Sequence, residues 1–359
     1  YTLLFLFVGL IVYAQELTVK STGNVAVKSS AFLFVNDVTV ESGGDLSLES
    51  NATHSSSLLI NGTFTGDISY HRYVENTDWY LVGAPVSTQG VPAFITTNTG
   101  VLSTGSNGTR RAVGYYDTDG TPTERWTYYD SASNPAYLNG NFTSGEGYAV
   151  NRTAAGTIQF TGNVATANVS VDLSSTGTHY WKSVGNPFPA FIAGNDNADV
   201  SNVLADNLSV LDSNFAFLYV WDGSQYTPIG QGDAAFNIAP GQAFLVRPKD
   251  GSQSFTFTSS LAKEQGSGNA TFYRSSALSS LEVFMNDGSK ERSTRVRYNA
   301  NSTNGLDVGY DAGAYQDGTP SYALETQLVA DNQGVDFTIQ SLPNGDFEGT
   351  SIPLSVYAA

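Results

Sequence analysis

Trp79-Tyr-Leu-Val-Gly83-Ala-Pro85 returns 102 residues later as Trp181-Lys-Ser-Val-Gly185-Asn-Pro187. A second pair follows the first at nearly the same offset: Gly145-Glu-Gly-Tyr-Ala-Val150 matches Gly241-Gln-Ala-Phe-Leu-Val246, 96 residues apart. Two offsets that agree this closely define one unit occurring twice. Each copy runs from a Trp strand ending in Gly-x-Pro, through an aromatic middle, to a Gly-led strand. The middles are Tyr115-Tyr116-Asp117 with Arg125-Trp126-Thr-Tyr128-Tyr129, and Phe217-Leu-Tyr-Val-Trp221-Asp-Gly223 with Gln225-Tyr226. Each pairs two strands across a polar turn, so each copy is expected to be a β-sandwich or half of one.

Upstream the pattern changes but stays extended. Leu33, Val35, Val38 and Val40 alternate around an Asn36-Asp37 corner, and Gly23-Asn-Val-Ala-Val27 recurs as Gly44-Asp-Leu-Ser-Leu48. Short strands at near-constant spacing predict rungs of a β-solenoid, with a meander of hairpins as the alternative. Downstream, Leu281-Glu-Val-Phe-Met285 and Thr294-Arg-Val-Arg-Tyr298 flank an Asp287-Gly288 hairpin turn. With 20 Tyr, 20 Phe and 36 Gly and no sustained helical period, the class is all-β. The expected order is a solenoid-like segment over 15–69, two sandwich-like repeats over 70–165 and 166–262, and a third sandwich-like domain over 263–359 that continues past the last residue.

The apolar run Thr2–Val12 followed by Val12-Tyr-Ala14 reads as a secretory signal peptide over 1–14, cleaved between Ala14 and Gln15. The run is shorter than the roughly 20 residues that span a bilayer core. Export places the chain outside the cell, at its surface. Zero Cys excludes disulfides and thiol chemistry, and 33 acidic against 16 basic residues exclude nucleic acid as a partner, since phosphate contacts need a basic patch.

Three quoted stretches carry a resemblance: Trp181-Lys-Ser-Val-Gly-Asn-Pro-Phe-Pro189, Ile238-Ala-Pro-Gly-Gln-Ala-Phe-Leu-Val246 and Gly305-Leu-Asp-Val-Gly-Tyr-Asp-Ala312. With these the chain resembles large secreted surface proteins of Bacteroidota exported by the type IX route. The resemblance implies the type IX secretion machinery as a partner and an adhesion or structural role at the outer surface. It also implies a C-terminal sorting domain, and none is visible in the sequence. Asp130-Ser131-Ala132 resembles the O-glycosylation acceptor motif of that phylum, with Ser131 as the site.

No residue set reads as catalytic, so no enzyme activity is expected. The three histidines, His54, His71 and His179, lack partners at triad or zinc spacing, although His71 and His179 stand in similar positions ahead of the two Trp strands. Glu124, Glu146, Asp196 and Asp222 could serve glycoside hydrolysis only as a facing pair, which the sequence does not define. No cofactor is required. Structural calcium is a candidate at Asp117, Asp119 and Glu124, and at Asp196 and Asp199, whose oxygen-rich spacing resembles an incomplete calcium loop. Tyr116, Trp126, Tyr128, Trp221 and Tyr226 are candidates for stacking on sugar rings, against the competing reading that they are core. Extracellular polysaccharide or another surface protein is the corresponding partner. The remaining alternative is the non-catalytic part of a secreted polysaccharide- or protein-degrading enzyme.

Overall fold

The alternation across residues 33–48 becomes parallel, not antiparallel, structure in the computed structural model, which describes residues 13–75, 78–122, 124–132, 140–223, 225–265, 280–345 and 349–358. The apolar run of the expected signal peptide lies outside these residues. Strands β1 (Tyr13–Val19), β3 (Phe32–Val40), β5 (Ser57–Ile60) and β6 (Phe64–Thr65) form one parallel sheet once β2 (Asn24–Val27) and β4 (Asp45–Glu49) have turned to the other side. There β2, β4 and β7 (Ile68–Val74) pair in parallel, Val25 beside Leu46 and Leu48 beside Tyr70. Successive parallel strands need crossovers that a hairpin meander lacks, so this is a coil of stacked rungs. Val35, Val38, Leu46, Leu48 and Tyr70 fill it, all at most 1% exposed. Tyr13 and Ala14, ahead of the expected cleavage point, pair with Phe34 and Val35.

The last rung is also the first strand of the first repeat, because β7 pairs on its other side with β12. That repeat comprises β8 (Trp79–Gly83), α1 (Val91–Thr97), β9 (Arg110–Tyr116), β10 (Trp126–Asp130), β11 (Gly147–Asn151) and β12 (Gly156–Gly162). The second comprises β13 (Val169–Asp172), β14 (Lys182–Gly185), β15 (Phe191–Ala193), α2 (Val203–Asn207), β16 (Leu218–Trp221), β17 (Tyr226–Ile229), β18 (Asn237–Ile238), β19 (Ala243–Val246) and β20 (Ser254–Phe257). The strand orders β10-β9-β11-β8 and β17-β16-β19-β14 are the same topology. In both copies the opening strand pairs with the closing one, β7 with β12 and β13 with β20. In the second copy, Val171, Phe255 and Phe257 of that pair pack on Val184, Leu218 and Phe244 of the four-stranded sheet, which makes a sandwich. Strand β21 (Ala262–Lys263) closes the copy by pairing with β15.

The two copies meet across a local twofold. Gly83 N donates to Gly241 O at 3.2 Å, and Gly185 N donates to Gly145 O at 2.8 Å, each bond being the counterpart of the other. The bridges Val82–Gln242 and Glu146–Val184 repeat the exchange. At the centre the backbones of Gly83 and Gly185 touch, and a methyl built on Gly185 would lie 2.8 Å from Gly83 Cα. Only glycine allows that approach. Beside it Asn186 is fully buried, donating to the carbonyls of Ala190, Ile238 and Ala239, which fixes the Gly-Asn-Pro corner.

The third unit is one mixed sheet. Strands β22 (Ser280–Asn286), β23 (Glu291–Asn299), β24 (Ala312–Gly313), β25 (Tyr322–Thr326), β26 (Phe337–Pro343) and β27 (Leu354–Ala358) are ordered β22-β23-β26-β25-β27, with β24 on β26. Asp287 closes the expected hairpin by accepting the amides of Ser289 and Lys290. The sheet packs on the second repeat: Ala312 and Ile339 join Trp181, Phe217 and Tyr219 in one core, and Tyr219 donates to Gly313 O at 2.7 Å. A buried Arg297–Asp233 ion pair ties β23 to the same repeat.

Candidate functional site

Strand pairing in each repeat sets two rings face to edge. Tyr116 lies opposite Trp126 across β9 and β10 with centroids 5.1 Å apart, and Trp221 lies opposite Tyr226 across β16 and β17 at 5.0 Å. These are the same positions of the repeat with Tyr and Trp exchanged. The local twofold brings them toward each other, so that Trp126, Trp221 and Tyr226 all rest on Leu81, Ala149 and Ala243. Tyr315 of the third unit closes over the seam, 4.7 Å from Tyr226 and 4.9 Å from Trp181.

The rings expected to face a sugar therefore do not form one exposed row. Tyr116 is 7% exposed, with its ring against Trp126 and His179. Trp126 is half-buried in the seam. Tyr128 points elsewhere, packed at 5.0 Å on Trp79 in a separate groove. Trp221 and Tyr226 alone open onto a cleft of about 360 Å³ between the second repeat and the third unit.

The opposite wall of that cleft comes from the third unit, and the sequence reading missed it. Tyr322, Glu282, Arg292, Arg295 and Glu325 line it opposite Trp221 and Tyr226. Glu282 accepts from Ser293 at 2.7 Å and pairs with Arg295 at 3.4 Å. Burial pushes the Glu325 carboxyl up to about 8, against a hydrogen bond from Thr338 that lowers it, so at neutral pH it holds its proton. Its Oε2 and the Trp221 Nε1 are both buried without a hydrogen-bond partner among the described residues. An unsatisfied buried polar atom costs about 1–3 kcal/mol. The signal that could have found this wall is the Arg292, Arg295, Arg297 series in a strand that otherwise alternates.

Beneath the seam lies a polar knot. Tyr116 Oη meets His179 Nε2 at 2.6 Å and Tyr315 Oη at 3.2 Å, while Asp317 faces His179 Nδ1 at 3.5 Å and pairs with Arg125 at 2.9 Å. Burial, with Arg125 beside it, drives His179 down to about 4 despite Asp317, so the imidazole is neutral. The knot joins both repeats and the third unit, which makes it a clamp. His71 is not its counterpart: it sits on β7, whereas His179 lies in the turn before β14.

The acidic candidates are held locally. Asp117 accepts the Asp119 amide at 3.1 Å, and Asp119 accepts the amides of Gly177 and Thr176, which hold its carboxyl below the usual range. Glu124 accepts from Thr121, Asp196 from Asn202 and Asp199 from Ser201. Among the described residues no three His, Asp or Glu side chains gather as a metal group. Glu146 accepts from Tyr148 and Asp222 from the Gln225 amide. Ser131 is exposed at the end of β10, while Asp130 is buried and accepts from Asn107 and Ala132.

Fold and cleft together describe an all-β protein with two fused copies of one topology, the second of which bounds an aromatic, charged cleft with a third sheet. The chain belongs to the family described as a domain of unknown function (DUF8693), which matches residues 8–358. No curated protein matches it. No solved structure does either.

Proposed function

We propose that this is an exported surface protein that acts by binding, without catalysis of its own, and that it holds glycan in the cleft between the second repeat and the third unit. The observation that carries the reading is a cleft lined by aromatic rings together with arginines. Trp221, Tyr226 and Tyr322 supply rings for pyranose C–H groups, while Arg292 and Arg295 supply hydrogen bonds to hydroxyls. An adhesion role at the outer surface, with the type IX machinery as export partner, accords with the signal-like N-terminus and the acidic, cysteine-free composition.

Affinity electrophoresis through polysaccharide gels tests the binding. Trp221→Ala and Tyr322→Ala are expected to abolish retardation, with circular dichroism checking that each variant is folded. Unchanged retardation in both variants would remove the cleft from consideration. Because Glu282 and Glu325 share the cleft, a hydrolytic reading is tested in the same gels by assaying reducing ends: retention without release is the expected result.

A further inference from the structure

The ring pair that the second repeat hides under the third unit has an open counterpart. Trp181 packs on Tyr219 at 4.6 Å, and the third unit adds Tyr315 against the same indole. In the first repeat the equivalent indole is Trp79, 37% exposed. The strand register equates Tyr219 with Gly114, because Tyr219 lies beside Leu245 as Gly114 lies beside Ala149. Gly114 has no ring to offer, and Tyr128, its partner on β10, swings its own ring into that space and packs on Trp79. The aromatic floor is thus rebuilt from a different strand and left open, at the base of a groove of about 240 Å³.

The chemistry of the groove differs from that of the cleft. Arg110 and Arg111 line it together with Ser103 and Thr104, and among the described residues no carboxylate does. Arg111 donates to the carbonyls of Gly108 and Arg110 and lies beside Tyr129, Arg110 lies beside Tyr128, and among the described residues neither arginine is in an ion pair. Asp130 stands opposite Arg110 in the strand register, but it is buried and accepts from Asn107 and Ala132. The Arg110 guanidinium, on the Tyr128 side of the sheet beside an open indole and on a chain of net charge −17, forms a local site for an anion that carries a flat apolar face.

We propose that the first repeat holds a second, independent binding site for an acidic pyranose of the hexuronate class, its ring face on Trp79 and its carboxylate on Arg110. The groove has room for one sugar residue, so the site reads a chain end or a single unit of an acidic polysaccharide. Its position on the first repeat, away from Trp221, makes it separable from the cleft.

The test is calorimetric titration of the whole chain with a galacturonate trimer and with its neutral methyl ester. The acid should bind and the ester bind at least about tenfold more weakly, the equivalent of about 1.4 kcal/mol. Trp79→Ala should weaken the acid by a similar factor, and Arg110→Gln should erase the preference for acid over ester. Raising salt should weaken the parent and leave Arg110→Gln nearly unaffected. Equal affinity for acid and ester, binding untouched by both Trp79→Ala and Arg110→Gln, loss on Trp221→Ala alone, or no binding of the acid at all would each overturn the proposal. Trp79 is exposed, and the arginine variant keeps the rings, so a folding defect in one is checked by the other.

Discussion

Replacing Gly185 by alanine places a methyl 2.8 Å from Gly83 Cα, 3.0 Å from Gly83 N and 3.0 Å from Ala243 Cβ. Two of those neighbours are backbone atoms in paired strands, so they cannot swing aside as a side-chain tip would. Relief requires β14 and β8 to separate, which lengthens the reciprocal bonds from Gly83 N to Gly241 O and from Gly185 N to Gly145 O. Overpacking of this kind costs about 1–3 kcal/mol. Weakening two backbone hydrogen bonds adds roughly 0.5–1.5 kcal/mol each. A total loss of about 2–6 kcal/mol corresponds to a melting temperature lower by roughly 4–24 °C for a cooperative unit of the size of the two repeats. The control is Gly100→Ala, whose added methyl meets nothing within 4 Å. Differential scanning calorimetry reads both, and Gly83→Ala should behave like Gly185→Ala. Since the two methyls strain one contact, the double variant should lose less than the sum of the singles. If Gly185→Ala melts within about 1 °C of the parent, the two repeats are not joined through this contact.

Acidity acts on the protein in two opposite directions. Glu325 keeps its proton in the folded chain up to about 8, against 4.5 unperturbed, so its stabilising share is complete below 4.5 and is lost as pH rises through 8. His179 is neutral in the fold down to about 4, against 6.5 unperturbed, so its share is complete above 6.5 and is lost as pH falls toward 4. Above 6.5 only Glu325 of these two still changes the balance, and Glu325→Gln should flatten the decline in melting temperature between about pH 6.5 and 8.5. A parent whose melting temperature is level across that interval would refute the protonated carboxyl. Asp233→Ala leaves Arg297 buried without its partner and removes the acceptor of the Gly230 amide, at a cost of about 3–5 kcal/mol. Faster proteolysis of the third unit than of the repeats is the expected sign, and equal rates would show that this ion pair does not anchor the sheet. Asn186→Ala removes three donated bonds from a fully buried corner and should lower the melting temperature by at least as much as Gly185→Ala.

The class and the repeat were legible because each rests on local signals. Alternation at Leu33–Val40 and the paired Trp strands are readable one segment at a time, and matching segments at equal offsets imply matching topology. Whether the first segment coils or meanders was open because both arrangements need the same period of two. The distinction lies in which strand is the neighbour, and Val25 beside Leu46 is a pairing across 21 residues. The aromatic middles were legible as strands but not as surface or core, since alternation reports that a face is covered without saying by what. Tyr116 is covered by His179 and Tyr315, which come from other units of the chain. The cleft was illegible for the same reason: Glu325 reaches Trp221 only through the docking of a sheet more than 100 positions downstream.

That docking also explains how duplicated units come to differ in what they can bind. Two sandwiches related by a twofold would present the same surface twice, and any ligand of one would be a ligand of the other. The third sheet breaks the equivalence by packing on the second repeat, where Ile339 and Ala312 enter the core with Trp181 and Tyr219. Its arrival has two consequences at once. On the second repeat it buries Trp181 and turns Trp221 and Tyr226 into one wall of a cleft whose other wall carries Glu325 and Arg292. On the first repeat it leaves Trp79 open, with Tyr128 replacing the ring that Gly114 lacks and with Arg110 and Arg111 beside it. The exchange of Tyr219 and Pro228 in one copy for Gly114 and Tyr128 in the other fits that division. Tyr219, on an inner strand, supplies a hydroxyl that donates to the Gly313 carbonyl and so holds the third sheet, whereas Tyr128, on an edge strand, supplies a ring to the open groove.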